Sequence, residues 1–357
     1  MSGKRTEPEQ PLPEPELATT WVDREYPPPE WLVPDVVARN TTGAIVSPSH
    51  TGKTAVAIKL AKDALAAGHT VSYVMEESTA HDFRSRLLAT GVTEELQKRL
   101  LIWFQLGVRL DDLPWILHIR KRLMEHKVDL CFVDTWSDVV GVDQLSQAEV
   151  LPILKAMRDT RIETGCSLYP LMHTPKAIFK GDTEPSLADI FGSVSSANIL
   201  DVVHVLRPLK LKNGEQEEAE EEDPQSDGLV EIHCVKLRSA GAPKPLPRVG
   251  RLVTVPLGER QGTTVRFDWV PGKTPGQVKA RLKGEKQEAR VLAWVADHDC
   301  PSATKVYESM GGNKQSVLAA VRTLLNAGRL SRDSLLNLRP AQVVPASLRA
   351  INGSEGR

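Results

Sequence analysis

The chain has 357 residues, 41% hydrophobic and 25% charged, with a formal net charge of −1. This is the make-up of a globular protein of two domains, or of one large domain with appendages, and it excludes a chain-wide electrostatic pull toward nucleic acid, so any basic binding surface has to be local. The four cysteines (Cys131, Cys166, Cys234, Cys300) form no C-x-x-C pair and no apolar run approaches about 18 residues, which argues against structural zinc, a disulfide framework or a membrane span and fits a cytoplasmic protein.

Residues 1–20 are too polar and proline-rich to bury a core and read as a disordered tail, not a signal peptide. Trp31 and Leu32 follow as docking residues at the entrance of a domain expected over 21–270. A βα alternation then begins. Residues 42–47 (TGAIVS) read as a strand. Residues 53–67 have helical periodicity and stop at Gly68, a plausible C-cap. Residues 70–75 (TVSYVM) form the next strand and LLIWFQL another. Residues 112–127 read as a helix, 128–133 (VDLCFV) as a buried strand, 148–165 as a helix and 166–172 as a further strand. Strands separated by helices predict an α/β fold with a mainly parallel sheet covered on both faces.

From about residue 197 the pattern changes. NILDVVHVLRPL and LVEIHCVKLR are strand-like and flank an acidic insert at 213–228, read as a solvated loop that repels DNA. Residues 271–287 read as a linker. Residues 288–340 predict three short helices, with a GGN turn and an N-cap at Asn313, followed by a possible β-wing. That spacing suggests a small winged helix-turn-helix unit, before a tail at 341–357.

The chemistry starts at SPSHTGKT, residues 47–54. A phosphate-binding loop needs inward-turned backbone N–H groups at a helix N-terminus, plus one lysine. The pattern G-x-x-x-x-G-K-[ST] is met except that Ser47 stands for the first Gly. Ser47, Pro48, Ser49, His50, Thr51, Gly52, Lys53, Thr54 and Ala55 are the expected nucleotide contacts. Lys53 neutralises phosphate charge and Thr54 holds Mg²⁺. Asp134 ends an apolar strand, the place for an acid that binds Mg²⁺ through water. No Glu follows it, unlike AAA+ proteins. The base is instead expected at the end of the second strand, where Glu76 and Glu77 stand and a carboxylate can orient the attacking water.

Loop, second-strand Glu, Asp ending a later strand, then LMHTPK on the next: in this motif order the chain resembles the RecA/DnaB-like P-loop ATPases, and more narrowly the RepA-like hexameric helicase branch. The resemblance covers about 31–248. It implies ATP and Mg²⁺ as ligands, and a homo-oligomeric ring, a hexamer, as the working form. In that branch the acid is followed nine residues later by Arg before Leu. Glu77 to Arg86 has that spacing, which favours Glu77, although related proteins carry an E-E-S here and Glu76 stays open. By the same resemblance His173 senses the γ-phosphate, and Lys236 and Arg238 match a K-x-R that reaches the neighbouring subunit's ATP. Ser47, Ser78 in place of Asp, and Phe191 in place of Arg depart from the family's pattern.

For DNA, the loop after the Asp strand has no Lys or Arg. The loop after the sensor strand has Lys176, Phe179 and Lys180, a cation–aromatic cluster suited to single strands inside a ring. On the C-terminal unit Lys314 and Gln315 open the expected recognition helix, with Arg322 two turns on and Lys305 on the preceding helix, for duplex DNA. Val317, Val321 and Leu324 read as core. The leading reading is a helicase or translocase in the replication of a phage or other mobile element. Its rival is a nucleotide-switched DNA-binding regulator or helicase loader. A small-molecule kinase is disfavoured by the extra domain and the lack of an obvious lid.

Overall fold

The structure is a computed structural model and describes residues 15, 17–22, 30–143, 146–174, 187, 198–209, 228–238, 244–257, 262–270, 274–298, 302–333 and 338–340. Residues 1–14, the acidic run within 213–227, the tail from 341, Phe191, and Lys176, Phe179 and Lys180 lie outside the described residues. Of the expected tail, Ala18–Val22 forms one helical turn, α1. Strands β1 (Trp31–Val33) and β2 (Val37–Ala38) pair as a small hairpin, with Leu32 buried and Trp31 half-buried.

The main body follows in chain order: β3 (Gly43–Ser47), α2 (Lys53–Ala66), β4 (Val71–Met75), α3 (Ala80–Ala89), α4 (Glu94–Gln97), β5 (Leu100–Phe104), α5 (Leu113–Glu125), β6 (Leu130–Asp134), α6 (Trp136–Val139), α7 (Gln147–Thr164) and β7 (Ser167–His173). Then come β8 (Val202–Pro208), β9 (Leu229–Leu237), β10 (Arg248–Pro256) and β11 (Thr263–Trp269). One nine-stranded sheet runs β11-β10-β9-β8-β3-β7-β6-β4-β5. From β8 to β5 neighbours pair in parallel; β9, β10 and β11 extend the sheet antiparallel.

The period-2 alternation of the strands divides the core. Ile45, Tyr73, Phe132 and Leu171 face α2 and α3, while Ala44, Val46, Val74 and Val133 face α5 and α7. Helix α2 is held by an apolar face that includes Val56, Ile58, Leu60 and Leu65, all fully buried. Each such side chain contributes roughly 1.5–3 kcal/mol. The helix stops in a Schellman arrangement: His69 N–H donates to the Ala64 carbonyl and Gly68 N–H to that of Leu65, both at 3.1 Å. Gly68 adopts the left-handed φ of 103° that this ending requires.

Two expectations change. The strands β10 and β11 were not anticipated, although RLVTV and TTVRF alternate as strands do. The outer strand β11 packs over α2 and α3, pinned where the Trp269 indole donates to Asp63 at 2.9 Å. The expected linker at 271–287 is helical from Pro275 onward. Helix α8 (Pro275–Asp297) starts at a Thr274–Gln277 capping box and runs unbroken for 23 residues. Its first half seats Val278 and Leu282 against Leu209, Leu229 and Val249 of the sheet. Its second half puts Val291 and Val295 into a separate core with α9 (Ala303–Met310), α10 (Lys314–Asn326) and the antiparallel pair β12 (Leu330–Arg332) and β13 (Leu338–Pro340). A helix with an apolar stripe at each end has no reason to melt between them.

Candidate functional site

Parallel pairing brings four distant motifs to one edge of the sheet. The carboxyl ends of β3, β7, β6 and β4, neighbours in that order, carry the 47–54 loop, His173, Asp134 and Glu76–Glu77. Ser47 pairs with His173, and Met75 with Asp134. Loops at the carboxyl ends of parallel strands form the binding crevice of open α/β sheets. Here the crevice is a cavity of about 560 Å³ whose lining includes Gly52, Lys53, Thr54, Glu77, Arg86 and His173.

The loop turns through left-handed backbone at His50 (φ 64°) and Gly52 (φ 85°). At Gly52 a side chain is doubly excluded, since a Cβ would also stand 2.6 Å from the Leu252 side chain on β10. Ser47, the departure from the motif, fits without disruption. It is fully buried, and its hydroxyl donates to the Pro48 carbonyl at 2.9 Å and accepts from Lys53 Nζ at 3.3 Å. Thr51 Oγ1 donates to the same Pro48 carbonyl at 3.0 Å.

Lys53 Nζ lies inside the loop, donating to the carbonyls of Ser47 (3.3 Å) and Pro48 (3.2 Å) and to His173 Nδ1 (3.0 Å). Burial pushes its pKa down to about 8, against the pull of Asp134 and Glu77. Burial and the Lys53 charge lower that of His173 as well, which suits a neutral imidazole accepting from the ammonium. Ser49 Oγ contacts the same Nδ1 at 3.2 Å. An ammonium held only by weak neutral acceptors is one that a phosphate can recruit. Tyr73 donates to Asp134 at 2.9 Å, and Thr54 acts on the same carboxylate. A hydroxyl and a carboxylate side by side are the hard oxygen donors that suit Mg²⁺. The residues present therefore fit both nucleotide phosphates and the metal.

Asp134 is 1% exposed, and burial raises its pKa to about 6 despite the opposing influence of Thr54 and Tyr73. The fold thus favours the neutral acid. That contribution is whole below the ordinary value of 3.8 and is lost as pH rises through about 6. Asp134→Asn is accordingly expected to stabilise the nucleotide-free protein by about 2 kcal/mol at pH 8, with the advantage shrinking at pH 5. Thermal melts at the two pH values check this; an equal effect at both contradicts it.

The two candidate bases separate. The Glu76 carboxylate accepts from the backbone N–H groups of Gly107 (3.3 Å) and Val108 (3.1 Å), holding the loop after β5. Glu77 is exposed and lines the cavity. Beyond it, Arg86 on α3 is paired with Asp82 at 2.8 Å, and Asp82 also accepts from Ser78 at 2.9 Å. Sequence reading missed Tyr73, which only strand pairing brings to Asp134, and Leu252 and Val265, which wall the cavity from the unanticipated strands.

Lys236 and Arg238 are not brought to this cavity. Lys236 pairs with Val203, whose neighbour Val202 pairs with Gly43, so both lie toward the amino end of β3. Burial, with Arg238 adding to it, lowers the Lys236 pKa to about 8. Arg238 lies 3.6 Å from Asp201 and donates to the Asn198 carbonyl. In the C-terminal unit Asn313 caps α10, accepting from Ser316 N–H at 3.1 Å, and Val317, Val321 and Leu324 are buried. Lys305, Lys314, Gln315 and Arg322 are exposed, and the Lys314 ammonium stands over the Tyr307 ring at 5.5 Å.

The family model of the AAA domain matches residues 7–177, the stretch that holds the loop, Glu77, Asp134 and His173. The chain carries a P-loop α/β domain that, over just under half of the chain, is similar to that AAA domain. Among solved structures the chain is similar to a DnaB-like replicative helicase, at 15% identity and a TM-score of 0.45, over 63% of this chain and 59% of that one. It is similar too to the RadB recombinase, at 13% identity and a TM-score of 0.41, over 63% of this chain and 90% of that one. None of the curated proteins matches it. Among the described residues no helix is long and apolar enough to cross a membrane.

Proposed function

We propose that the protein is a ring-forming ATPase, a hexamer, that moves on or remodels DNA in the cytoplasm, in the replication of a phage or other mobile element. The observation that carries this reading is the meeting of Lys53, Thr54, Glu77 and His173 around one cavity, over a buried Asp134. Bound MgATP supplies a phosphoryl centre and a leaving group. Lys53 binds the phosphates, Thr54 and Asp134 hold the metal, Glu77 orients water and takes its proton, and His173 responds to the γ-phosphate. Gly52 and its neighbours from Ser47 to Ala55 cradle the phosphates through backbone N–H groups.

Lys236 and Arg238 stand at the other end of the sheet from their own loop, so their proposed partner is the nucleotide of an adjacent subunit. Residues 288–340 are proposed as a winged helix-turn-helix that meets duplex DNA through Lys305, Lys314, Gln315 and Arg322. Lys176, Phe179 and Lys180 are proposed for single strands in the ring.

The test is complementation. Arg238→Ala alone is expected to lose about 10³-fold of the turnover stimulated by single-stranded DNA while retaining ATP binding. Mixing it with Lys53→Ala subunits is expected to restore activity, because each subunit supplies what the other lacks. Failure of the mixture to exceed either variant rejects action in trans. The rival reading, a nucleotide-switched regulator or loader, is favoured by the absence of Lys and Arg from 137–150. ATP binding without DNA-stimulated turnover decides for it.

A further inference from the structure

The chain's near-neutral total conceals a division. Residues 274–340 hold eleven Lys and Arg against six Asp and Glu, and the remainder of the chain is net negative. Five of those eleven cations lie on α8, in the segment that sequence alone reads mostly as linker. Four of them, Lys279, Lys283, Lys286 and Arg290, stand at i, i+4, i+7 and i+11. At 100° per residue they fall within a sector about 60° wide, a row about 16 Å long over three turns. Lys283 and Arg290 are exposed; Lys279 and Lys286 are half-buried.

The rest of the helix is used differently. Val278 and Leu282 bind the sheet, and Val291 and Val295 bind the C-terminal core, so the cationic row lies outside both contacts. The acids of this stretch, Glu285 and Glu288, project from the opposite side, Glu285 beside Arg281 at 3.5 Å. At its start the row is tied down: Lys279 Nζ is 3.5 Å from the buried Glu231, which Arg207 (2.8 Å) and His233 (2.6 Å) also contact. Four cations kept in one row repel each other along a helix that surface solubility does not require to be so segregated.

We propose that this face of α8 is a second nucleic-acid contact, a track for the sugar-phosphate backbone of DNA that is read without sequence preference. It rests on the DNA reading above. The occupant is argued from charge complementarity: regularly spaced cations on a rigid rod suit a regularly spaced polyanion, and Lys and Arg are the side chains that contact phosphates. Because α8 is continuous with the core that carries α10, a backbone held here sits in fixed relation to the exposed Lys314 and Arg322.

The experiment measures full-length protein binding to a random duplex and to oligo-dT from 50 to 200 mM salt, by fluorescence anisotropy. The variants are Lys283→Ala/Arg290→Ala and, as control from the other side of the helix, Arg281→Ala. Two lost phosphate contacts are expected to make the slope of log K against log[salt] shallower by about 1.8 on duplex or about 1.4 on single strands. Affinity at low salt is expected to fall about tenfold with ATP binding and melting temperature unchanged, and Arg281→Ala to leave the slope alone. The DNA form that shows the change identifies the ligand. Unchanged slopes on both forms overturn the proposal; if Lys314→Ala/Arg322→Ala then loses affinity, the DNA reading survives without it. Wild-type protein that binds neither form overturns the DNA reading and this proposal together.

Discussion

Glu77→Gln is expected to lower kcat for ATP hydrolysis about 10³-fold while nucleotide affinity changes less than about threefold. The amide keeps the size and the hydrogen-bonding reach of the acid but cannot take a proton, so only the step that needs a base is affected. The matched variant Glu76→Gln is expected to keep kcat within about threefold and to lose about 1–2 kcal/mol of stability. Its carboxylate serves the amides of Gly107 and Val108, two charge-assisted hydrogen bonds that a neutral acceptor makes more weakly. Steady-state turnover, equilibrium binding of a fluorescent ATP analogue and thermal melts of the two proteins separate the roles. The opposite pattern, with turnover lost in Glu76→Gln and kept in Glu77→Gln, moves the base one residue back.

Lys53→Ala is expected to reduce hydrolysis to background and to weaken ATP binding about 100-fold, the loss of one charge-assisted contact in a secluded site. The same variant is expected to keep its melting temperature within a few degrees. The reason lies in the nucleotide-free loop. Lys53 is 6% exposed, its ammonium donates to neutral acceptors, and its pKa of about 8 lies below the ordinary 10.5. Folding therefore disfavours its charge at pH 7, and a neutral side chain relieves that cost while forfeiting four long hydrogen bonds. Isothermal titration with ATP and a melting curve in its absence make the comparison. A large drop in melting temperature identifies Lys53 as a structural lysine whose effect on turnover is indirect.

Lys53 and Asp134 follow the same logic. Both are buried ions whose pKa values burial displaces toward neutrality, and each reduces the stability of the empty site. Such a site is completed by ligand charge, phosphate for the lysine and a metal for the acid, and perturbed pairs of this kind gather where binding or catalysis occurs.

Much of the architecture was legible along the chain. The alternation of short apolar runs with helical periodicity identified the parallel strands β3 to β7 within a residue or two, because burial on both faces of a sheet leaves little room for polar residues. The loop was legible because its chemistry is local: a small residue at 47, Gly52, Lys53 and Thr54 act within one turn of chain. Asn313 as the cap of α10 was legible for the same reason.

What the residues alone determined about this protein is the set of groups available: one phosphate loop, one acid at a strand end, two adjacent glutamates and a basic C-terminal third. What only the tertiary structure decided is which of them meet. Strand order, β3-β7-β6-β4, puts His173 and Asp134 between the loop and the glutamates, although the chain visits them in another sequence. The loop after β5 claims Glu76 and leaves Glu77 to the cavity. Curling of the sheet brings Leu252 and Val265 against the site from some 200 residues away. Propensity and motif act over a few residues, whereas pairing and packing join positions whose separation in the chain carries no signal of their contact. The apparent linker became a helix on the same grounds, since the sheet and the C-terminal core each hold one end of it.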